Sequence, residues 1–206
     1  MDLFDNIILH PVNLLSQDGE ANYYGVVIAY EQTEFFFSAL FDSIKWKQDE
    51  VVIAGQRIVA RRKVAWYGDK PFKYTYSNTT KTALPWTAEL LQLKKVIEKK
   101  SGETYNSCLL NLYHNGREGM AWHSDNEKDL KKNAAIASIS LGAERKFSFK
   151  HKKTKKTVSL TLQNGSLLVM KGEIQTYWQH SLPPTQKTDK PRINLTFRSI
   201  NDDAQS

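Results

Sequence analysis

Two histidines and one aspartate in the second half of the chain have the types and spacing of a metal site. His123 and Asp125 form the pattern His-x-Asp, and residues two apart on an extended strand project to the same side. His180 lies in a second strand-like segment downstream. Two imidazoles and one carboxylate form the facial triad that binds iron(II) and leaves coordination positions open. The alternative is a surface histidine followed by a helix-capping aspartate, which the pattern alone does not exclude.

A late strand-like segment carries charges that suit a dicarboxylate. Guanidinium groups bind carboxylates through two parallel hydrogen bonds. Upstream, Asn111 and Tyr113 place an amide and a phenol on one face of another strand. Both patterns also fit ordinary solvated strand faces. The late segment alternates between a polar and an apolar face. The polar face consists of Arg192, Asn194, Thr196 and Arg198, and the apolar face consists of Ile193, Leu195 and Phe197.

These side chains need strands to position them, and the sequence after residue 104 is nearly all strand-like. Seven or more short strands predict a sandwich or a jelly roll. The upstream helices are expected to pack on one sheet, which gives a mostly β fold with flanking helices. The predicted strands are Asn106–Tyr113, Ala134–Ser140, Lys146–His151, Thr157–Leu162, Ser166–Met170, Trp178–Leu182 and Ile193–Ser199, with Asn164-Gly165 as one of the turns.

The first half of the chain predicts one strand, two helices and a hairpin. The strand covers Asn22–Tyr30, and Thr33 is the expected N-cap of the first helix, whose apolar residues recur at helical spacing. The second helix is expected from about Pro85 to Lys99, with Gly102 just past its end. Between the helices, residues 51–59 predict a hairpin with Ala54-Gly55-Gln56 at its tip.

Composition limits the class of protein. The 206 residues suit one domain spanning 1–206, and 29 Lys and Arg against 22 Asp and Glu give a net charge of +7, which favours a polyanionic partner. The single cysteine, Cys108, cannot form an internal disulfide. No signal peptide or membrane helix is predicted. We therefore expect an intracellular monomer, cytoplasmic if bacterial and nuclear if eukaryotic, with no membrane partner.

The polar motifs together resemble the AlkB family of iron(II)- and 2-oxoglutarate-dependent dioxygenases. The likeness runs from about Trp66 to Ile200 and is closest to the homologues that repair alkylated nucleic-acid bases. It implies a double-stranded β-helix core over about 105–200, with helices and nucleotide-recognition hairpins forming a lid over about 22–104. The motifs that carry the resemblance are Asn111-x-Tyr113, His123-x-Asp125, His180 and Arg192-x-Asn194-x-x-x-Arg198.

The resemblance assigns roles to these residues. It implies that iron(II) and dioxygen meet at His123, Asp125 and His180. Arg192, with Tyr113 and Asn194, would hold the distal carboxylate of 2-oxoglutarate. Arg198, with Asn111, would lie near the carboxylate that chelates iron.

On the substrate side, the resemblance points to an aromatic pocket. Tyr76 would stack on a flipped base, Tyr74 would line the same pocket, and Glu127 and Arg62 would lie near the base edge; an enzyme that acts on a base must unstack and hold it. The alternative is that both tyrosines pack within a sheet. In relatives that act on duplexes, the hairpin near residue 53 carries a bulky aromatic. Here Ile53 could wedge between bases, but Ala54 cannot replace one, which favours single-stranded DNA or RNA.

A basic hairpin is a candidate phosphate-binding surface. The segment 145–156 is rich in lysine, with Phe147 and Phe149 alternating in it, and Arg61–Lys63 could extend the same face. A solvated charge run is the competing interpretation.

The function implied by the resemblance is oxidative dealkylation of bases such as 1-methyladenine or 3-methylcytosine. The reaction would be coupled to conversion of 2-oxoglutarate to succinate and would release an aldehyde. The expected partner is alkylated DNA, single-stranded or double-stranded, with RNA as a further candidate. Three alternatives remain: an oxygenase of the same fold that acts on a protein or small molecule, a non-catalytic nucleic-acid-binding module, and a cupin-like metal protein without 2-oxoglutarate.

Overall fold

The structure is a computed structural model that describes residues 11–53, 56–76 and 79–201. Within these ranges it describes the backbone alone for residues 49–53, 56–58, 74–76 and 79–80. The side chains of Ile53, Tyr74 and Tyr76, expected at the substrate pocket, and Ala54 therefore lie outside the described part of the protein.

The first half of the chain supplies two helices and seven strands. In chain order they are β1 (Val12–Asn13), β2 (Glu20–Val26), α1 (Tyr30–Ser43), β3 (Lys47–Ile53), β4 (Gln56–Gly68), β5 (Lys73–Tyr76), β6 (Thr79–Thr82), β7 (Leu84–Pro85) and α2 (Ala88–Ser101).

Nearly all the regular elements in the second half of the chain are strands, and each of the seven predicted strands overlaps an observed one. The short strand β9 and the single-turn helix α3 were not predicted. The elements are β8 (Ser107–Tyr113), β9 (Met120–His123), β10 (Ile136–Gly142), β11 (Arg145–His151), β12 (Thr157–Leu162), β13 (Ser166–Lys171), α3 (Ile174–Tyr177), β14 (Trp178–Leu182) and β15 (Arg192–Arg198).

The strands form two main antiparallel sheets. The large sheet has the order β1-β2-β13-β10-β15-β8-β4-β3, with β7 added parallel to β4. The small sheet has the order β12-β11-β14-β9, and β5 and β6 form a separate hairpin. This arrangement confirms the predicted mostly β fold with flanking helices.

The large sheet has two faces with different partners, and side-chain alternation separates them. On β13, Leu167 and Val169 belong to the core shared with α1 and α2, whereas Leu168 and Met170 belong to the core that includes Phe149 of the small sheet. The helices therefore cover the outer face of the large sheet, as predicted. The inner face looks toward the small sheet, and this is the space in which the polar motifs meet.

The start of α1 differs from the prediction. The helix begins at Tyr30 with Ala29 as its N-cap, and β2 ends at Val26, so the predicted strand over Asn22–Tyr30 is too long. Thr33 lies within the helix, where its hydroxyl donates to the Tyr30 carbonyl and accepts from Asn164 Nδ2. A threonine hydroxyl can return to the preceding turn of a helix, so its presence did not mark the helix start.

The second helix begins later than predicted but ends at the expected glycine. Pro85 lies in β7, and Thr87 is the N-cap, with its side chain accepting from the Leu90 amide. Gly102 adopts a left-handed conformation (φ 71°) at the C-terminus, which glycine reaches without steric cost. Within the part of the chain that the structure describes, no helix combines the length and apolar character needed to cross a membrane.

Candidate functional site

His123, Asp125 and His180 meet at one end of the small sheet. Antiparallel pairing of β9 with β14 places His123 directly opposite His180, and Asp125 follows β9 by two residues. One ligand atom from each of the three residues lies within 4.8 Å of the others. The spacing predicted from the sequence therefore produces a compact group of metal-ligating atoms.

Hydrogen bonding and burial leave both imidazoles able to bind a metal. Nδ1 of His123 lies 2.8 Å from the Ala121 carbonyl oxygen. Since a carbonyl only accepts, Nδ1 carries the proton and the Nε2 lone pair is left for a metal. Burial lowers the pKa of His180 to about 4, so this ring is neutral near neutral pH.

The loop that carries Asp125 is fixed by hydrogen bonds to α3 and to the first residue of β14. The Asp125 amide donates to Gln175 Oε1 at 2.9 Å, and the Ser124 hydroxyl donates to the Trp178 carbonyl at 2.8 Å. Burial by itself would raise the pKa of the Asp125 carboxyl, but Arg198 and the two histidines lower it below its usual value. The carboxylate is therefore held ionised and in place.

Arg198 joins this group from the large sheet. Its Nη2 lies 2.9 Å from Asp125 Oδ1, and its Nη1 lies 3.4 Å from Glu127 Oε1. These two carboxylates raise the pKa of Arg198 although burial opposes them. Arg198 thus contacts a predicted metal ligand directly.

Arg192 is buried in a different environment at the other end of β15. Its Nη2 donates to Ser140 Oγ at 2.9 Å and to Asn194 Oδ1 at 2.6 Å, while its Nε has no hydrogen-bond partner among the described residues. No carboxylate of the described residues lies within ion-pair distance of it. Burial lowers its pKa to about 10. Among the described residues, this buried guanidinium therefore has no carboxylate counterion.

The phenol of Tyr113 lies beside Arg192. The Arg192 guanidinium carbon is 5.6 Å from the centre of the Tyr113 ring, and the two residues are register partners on β8 and β15. Burial raises the pKa of the phenol, so it stays protonated and can donate a hydrogen bond. The pair offers a cation and a hydroxyl donor to an anion.

The remaining predicted residues fall into two contacts. Arg62, expected at the base edge, donates from Nε to Asn111 Oδ1 at 3.1 Å. Glu127 contacts Arg198, and its second carboxylate oxygen, Oε2, is buried without a partner among the described residues. Both substrate-side residues therefore touch residues expected to bind 2-oxoglutarate.

The basic hairpin forms as predicted from β11 and β12, but one of its cations is not at the surface. Arg145 is buried, and its Nη2 donates to the carbonyls of Glu118 and Pro183 at 2.8 and 2.9 Å. It therefore joins two loops and cannot contact phosphate. Three lysines near the hairpin tip also make hydrogen bonds. Lys155 donates to the Lys152 carbonyl, Lys152 donates to the Gln175 carbonyl, and Lys156 donates to the Ser16 hydroxyl.

Sequence reasoning missed several residues of the site. Ser138 and Ser140 interrupt the apolar strand β10 at alternate positions, which is a signal that could have been used, and their hydroxyls contact Asn194 and Arg192. Gln175 carried no such signal, because it reaches the Asp125 amide from a single-turn helix far along the chain.

Comparison with known proteins places this geometry in context. The family model described as the 2OG-Fe(II) oxygenase superfamily matches residues 22–198. Alpha-ketoglutarate-dependent dioxygenase alkB homolog 3 of Bos taurus is 37% identical over 183 residues, covering 84% of this chain and 63% of that protein. The chain thus spans just under two thirds of the length of this relative.

Two further matches are to proteins named as AlkB homologues. DNA oxidative demethylase ALKBH2 of Mus musculus is 36% identical over 178 residues, covering 82% of this chain and 71% of that protein. A solved structure of OsALKBH1 aligns with 92% of this chain and 100% of its own, with a TM-score of 0.59 and 16% identity. At that identity, the structural match supports the fold alone.

Proposed function

Because the chain belongs to the 2OG-Fe(II) oxygenase superfamily and, within it, to the AlkB family, we propose that it is a dioxygenase that removes alkyl groups from nucleic-acid bases. Its cofactors are iron(II), 2-oxoglutarate and dioxygen. The observation that carries the proposal is the pairing of a His-Asp-His cluster with a buried cation that lacks a counterion.

The donor set fits iron(II). His123 and His180 supply imidazole nitrogens, of which that of His180 is neutral near neutral pH, and Asp125 supplies an ionised carboxylate. This is the facial triad of non-haem iron(II) oxygenases. Arg198 holds Asp125 from outside the metal position, as partners of metal ligands commonly do.

The environment of Arg192 fits the distal carboxylate of 2-oxoglutarate. Leaving a buried guanidinium without a counterion costs free energy, and an incoming carboxylate recovers it. The Nε that lacks a partner and the Tyr113 phenol are donors for that carboxylate. Asn194 and Ser140 orient the guanidinium, and Asn111, the register partner of Asn194, is proposed to act with Arg198 near the carboxylate that chelates iron.

The chain's own residues bind and orient, whereas the cofactors carry out the oxidation. Iron(II), 2-oxoglutarate and dioxygen supply the hydroxylation of the N-alkyl carbon, which leaves as an aldehyde while 2-oxoglutarate becomes succinate and carbon dioxide. The substrates we propose are 1-methyladenine and 3-methylcytosine in single-stranded or double-stranded DNA, and in RNA. Tyr74, Tyr76, Glu127, Arg62 and Ile53 are the residues proposed to hold the base and its flanks.

We expect one catalytic unit acting as a monomer. The helices and recognition hairpins of residues 22–104 would cover the catalytic strands of residues 105–200. Both main cores draw on residues from both halves of the chain, for example Leu40 with Ile139 and Ala21 with Phe149. The two halves are therefore expected to unfold together.

The test is demethylation with both cofactors. Purified protein is incubated anaerobically with iron(II) and 2-oxoglutarate, and air is then admitted with an oligonucleotide that carries 1-methyladenine. Mass spectrometry should show loss of the methyl group, in step with succinate formation. Duplex and RNA versions of the oligonucleotide rank the substrates.

A matched pair of variants assigns the metal ligand. Asp125→Asn should abolish both products, whereas Asp189→Asn, which alters an exposed carboxylate, should keep them. Succinate without demethylation would favour an oxygenase acting on a protein or small molecule. Neither product from folded, iron-loaded protein would favour a nucleic-acid-binding module.

A further inference from the structure

Trp122 is an exposed tryptophan directly beside a predicted metal ligand. It is 37% exposed, although large aromatic side chains are mostly buried. Its strand, β9, lies at the end of the small sheet and pairs with β14 alone among the described strands. Neighbouring residues on a strand project to opposite faces, so Trp122 lies on the outer face while His123 lies on the inner one.

A lysine is held against the indole. Nζ of Lys150 lies 4.4 Å from the centre of the Trp122 ring. Lys150 belongs to β11, on the far side of β14 from β9, so the contact crosses the outer face of the sheet. This contact places a cation and an exposed aromatic surface side by side.

The same face is polar and strongly basic. Ser148 and Ser159 share a hydrogen bond on it at 2.8 Å, and Lys146 lies exposed on β11. Residues 144–156 contain six lysines and one glutamate. An aromatic surface set in a field of lysines is the combination that binds unpaired nucleic acid, with bases stacked on the ring and phosphates near the cations.

The position of β9 links this face to the iron site. A nucleic-acid strand that presents a base to the inner face at His123 must continue past the sheet, and β9 is the edge next to that base. A strand that crosses this edge brings a neighbouring nucleotide to the outer face, next to Trp122, which precedes His123 in the sequence. This step rests on the proposed function.

We propose that Trp122, Lys150 and Lys146 form a binding site for an unpaired nucleotide that flanks the target base. The Trp122 indole is the stacking surface, and the two lysines contact the phosphates. A paired base has both faces covered by its neighbours, so the site favours single strands over duplexes.

The test measures binding to unmodified DNA and therefore needs no dealkylation. Fluorescence anisotropy gives the Kd of a labelled ten-nucleotide thymidylate oligomer and of the same oligomer in a duplex. Trp122→Ala should weaken single-strand binding by about 5- to 100-fold, in the range found for loss of one stacked base. Trp122→Phe should recover most of the affinity, because it retains an aromatic face.

Controls separate stacking from folding and from bulk charge. Phe35→Ala removes another exposed aromatic, on α1, and should leave the Kd unchanged. Lys150→Ala and Lys146→Ala should each reduce the slope of log Kd against log salt by about one phosphate contact. Thermal melting of each variant verifies that it is folded.

Three results for Trp122→Ala would contradict the proposed site. The first is wild-type affinity, and the second is an equal loss of affinity for single strand and duplex. The third is an equal loss of affinity for poly-L-glutamate, which would show that binding depends on charge alone. Loss confined to single-stranded DNA supports the site. If that loss occurs in a protein that does not demethylate, the proposed function fails while the binding site stands.

Discussion

The two ends of β15 each carry an arginine on the same face of the large sheet, but among the described residues only Arg198 has carboxylate counterions. Arg198 contacts Asp125 and Glu127, and its pKa is raised. Arg192 contacts a serine hydroxyl and an amide oxygen, and its pKa is lowered to about 10. The Arg198 end of the strand has carboxylate counterions, while the Arg192 end is complementary to an anion that none of the described residues supplies.

The difference separates a structural use of buried charge from a binding use. Removing one member of a buried ion pair destabilises a protein, whereas removing an isolated buried charge relieves it of a cost. The same substitution at the two ends should therefore have opposite effects on the unfolding of the ligand-free protein.

The largest expected effect is on co-substrate binding at the Arg192 end. Arg192→Met should weaken 2-oxoglutarate binding by about 30- to 5000-fold, because loss of a buried charge partner costs about 2–5 kcal/mol. Isothermal titration of the iron(II)-loaded protein under nitrogen measures the change. The ligand-free variant should unfold in urea at the wild-type midpoint or above it.

Succinate provides a matched control for that substitution. It retains the distal carboxylate and lacks the keto acid that would face the metal. It should therefore raise the thermal midpoint of the wild type and of Arg198→Met, and should not raise that of Arg192→Met. A shift of equal size in all three proteins would contradict the assignment of Arg192 to the distal carboxylate.

The next effect is on stability at the Arg198 end. Arg198→Met leaves Asp125 buried without its cation and should lower the free energy of unfolding by about 3 kcal/mol. Urea denaturation of the metal-free protein measures this loss against Arg192→Met. Equal stabilities of the two variants would remove the distinction between the two ends of the strand.

The smallest expected effect concerns the hydrogen bond that Ser140 accepts from Arg192. Ser140→Ala removes one hydrogen bond to the charged Arg192 guanidinium and should weaken 2-oxoglutarate binding by about 12-fold, which corresponds to about 1.5 kcal/mol. Ser148→Ala, which removes a hydroxyl from the small sheet, should leave the affinity unchanged. Steady-state KM for 2-oxoglutarate provides the measurement, and identical values in both variants would show that Ser140 does not orient the guanidinium.

The sequence predicted the second half of the fold better than the first. Strand alternation is a strong signal in β8, β10 and β15, where polar and apolar faces differ along every strand. Helix starts were less well predicted. Thr33 lies within α1 and accepts a hydrogen bond from the Asn164 side chain, and Pro85 lies in β7 and not in α2. Local signals cannot reveal such tertiary uses.

In the candidate site too, local patterns were visible in the sequence whereas tertiary contacts were not. The His-x-Asp spacing and the alternation of Arg192 with Asn194 were visible along the chain, and the structure brings those residues together. The pairing of Arg198 with Asp125 joins two sheets and was not visible. Neither was the burial of Arg145, since a run of cations looks the same whether its members face water or carbonyl oxygens.

The candidate metal ligands all belong to the small sheet or the loop beside it, whereas Arg192, Tyr113 and Asn194 all belong to the large sheet. The distance between the two sheets therefore determines the distance between the candidate metal ligands and the Arg192 guanidinium. Leu168 packs in the gap between the sheets, and Phe149 packs there beside the candidate metal ligand His180, with ring centroids 6.4 Å apart. Substitutions that change the volume of these two side chains should therefore alter the distance available to a five-carbon diacid without replacing any metal-binding residue.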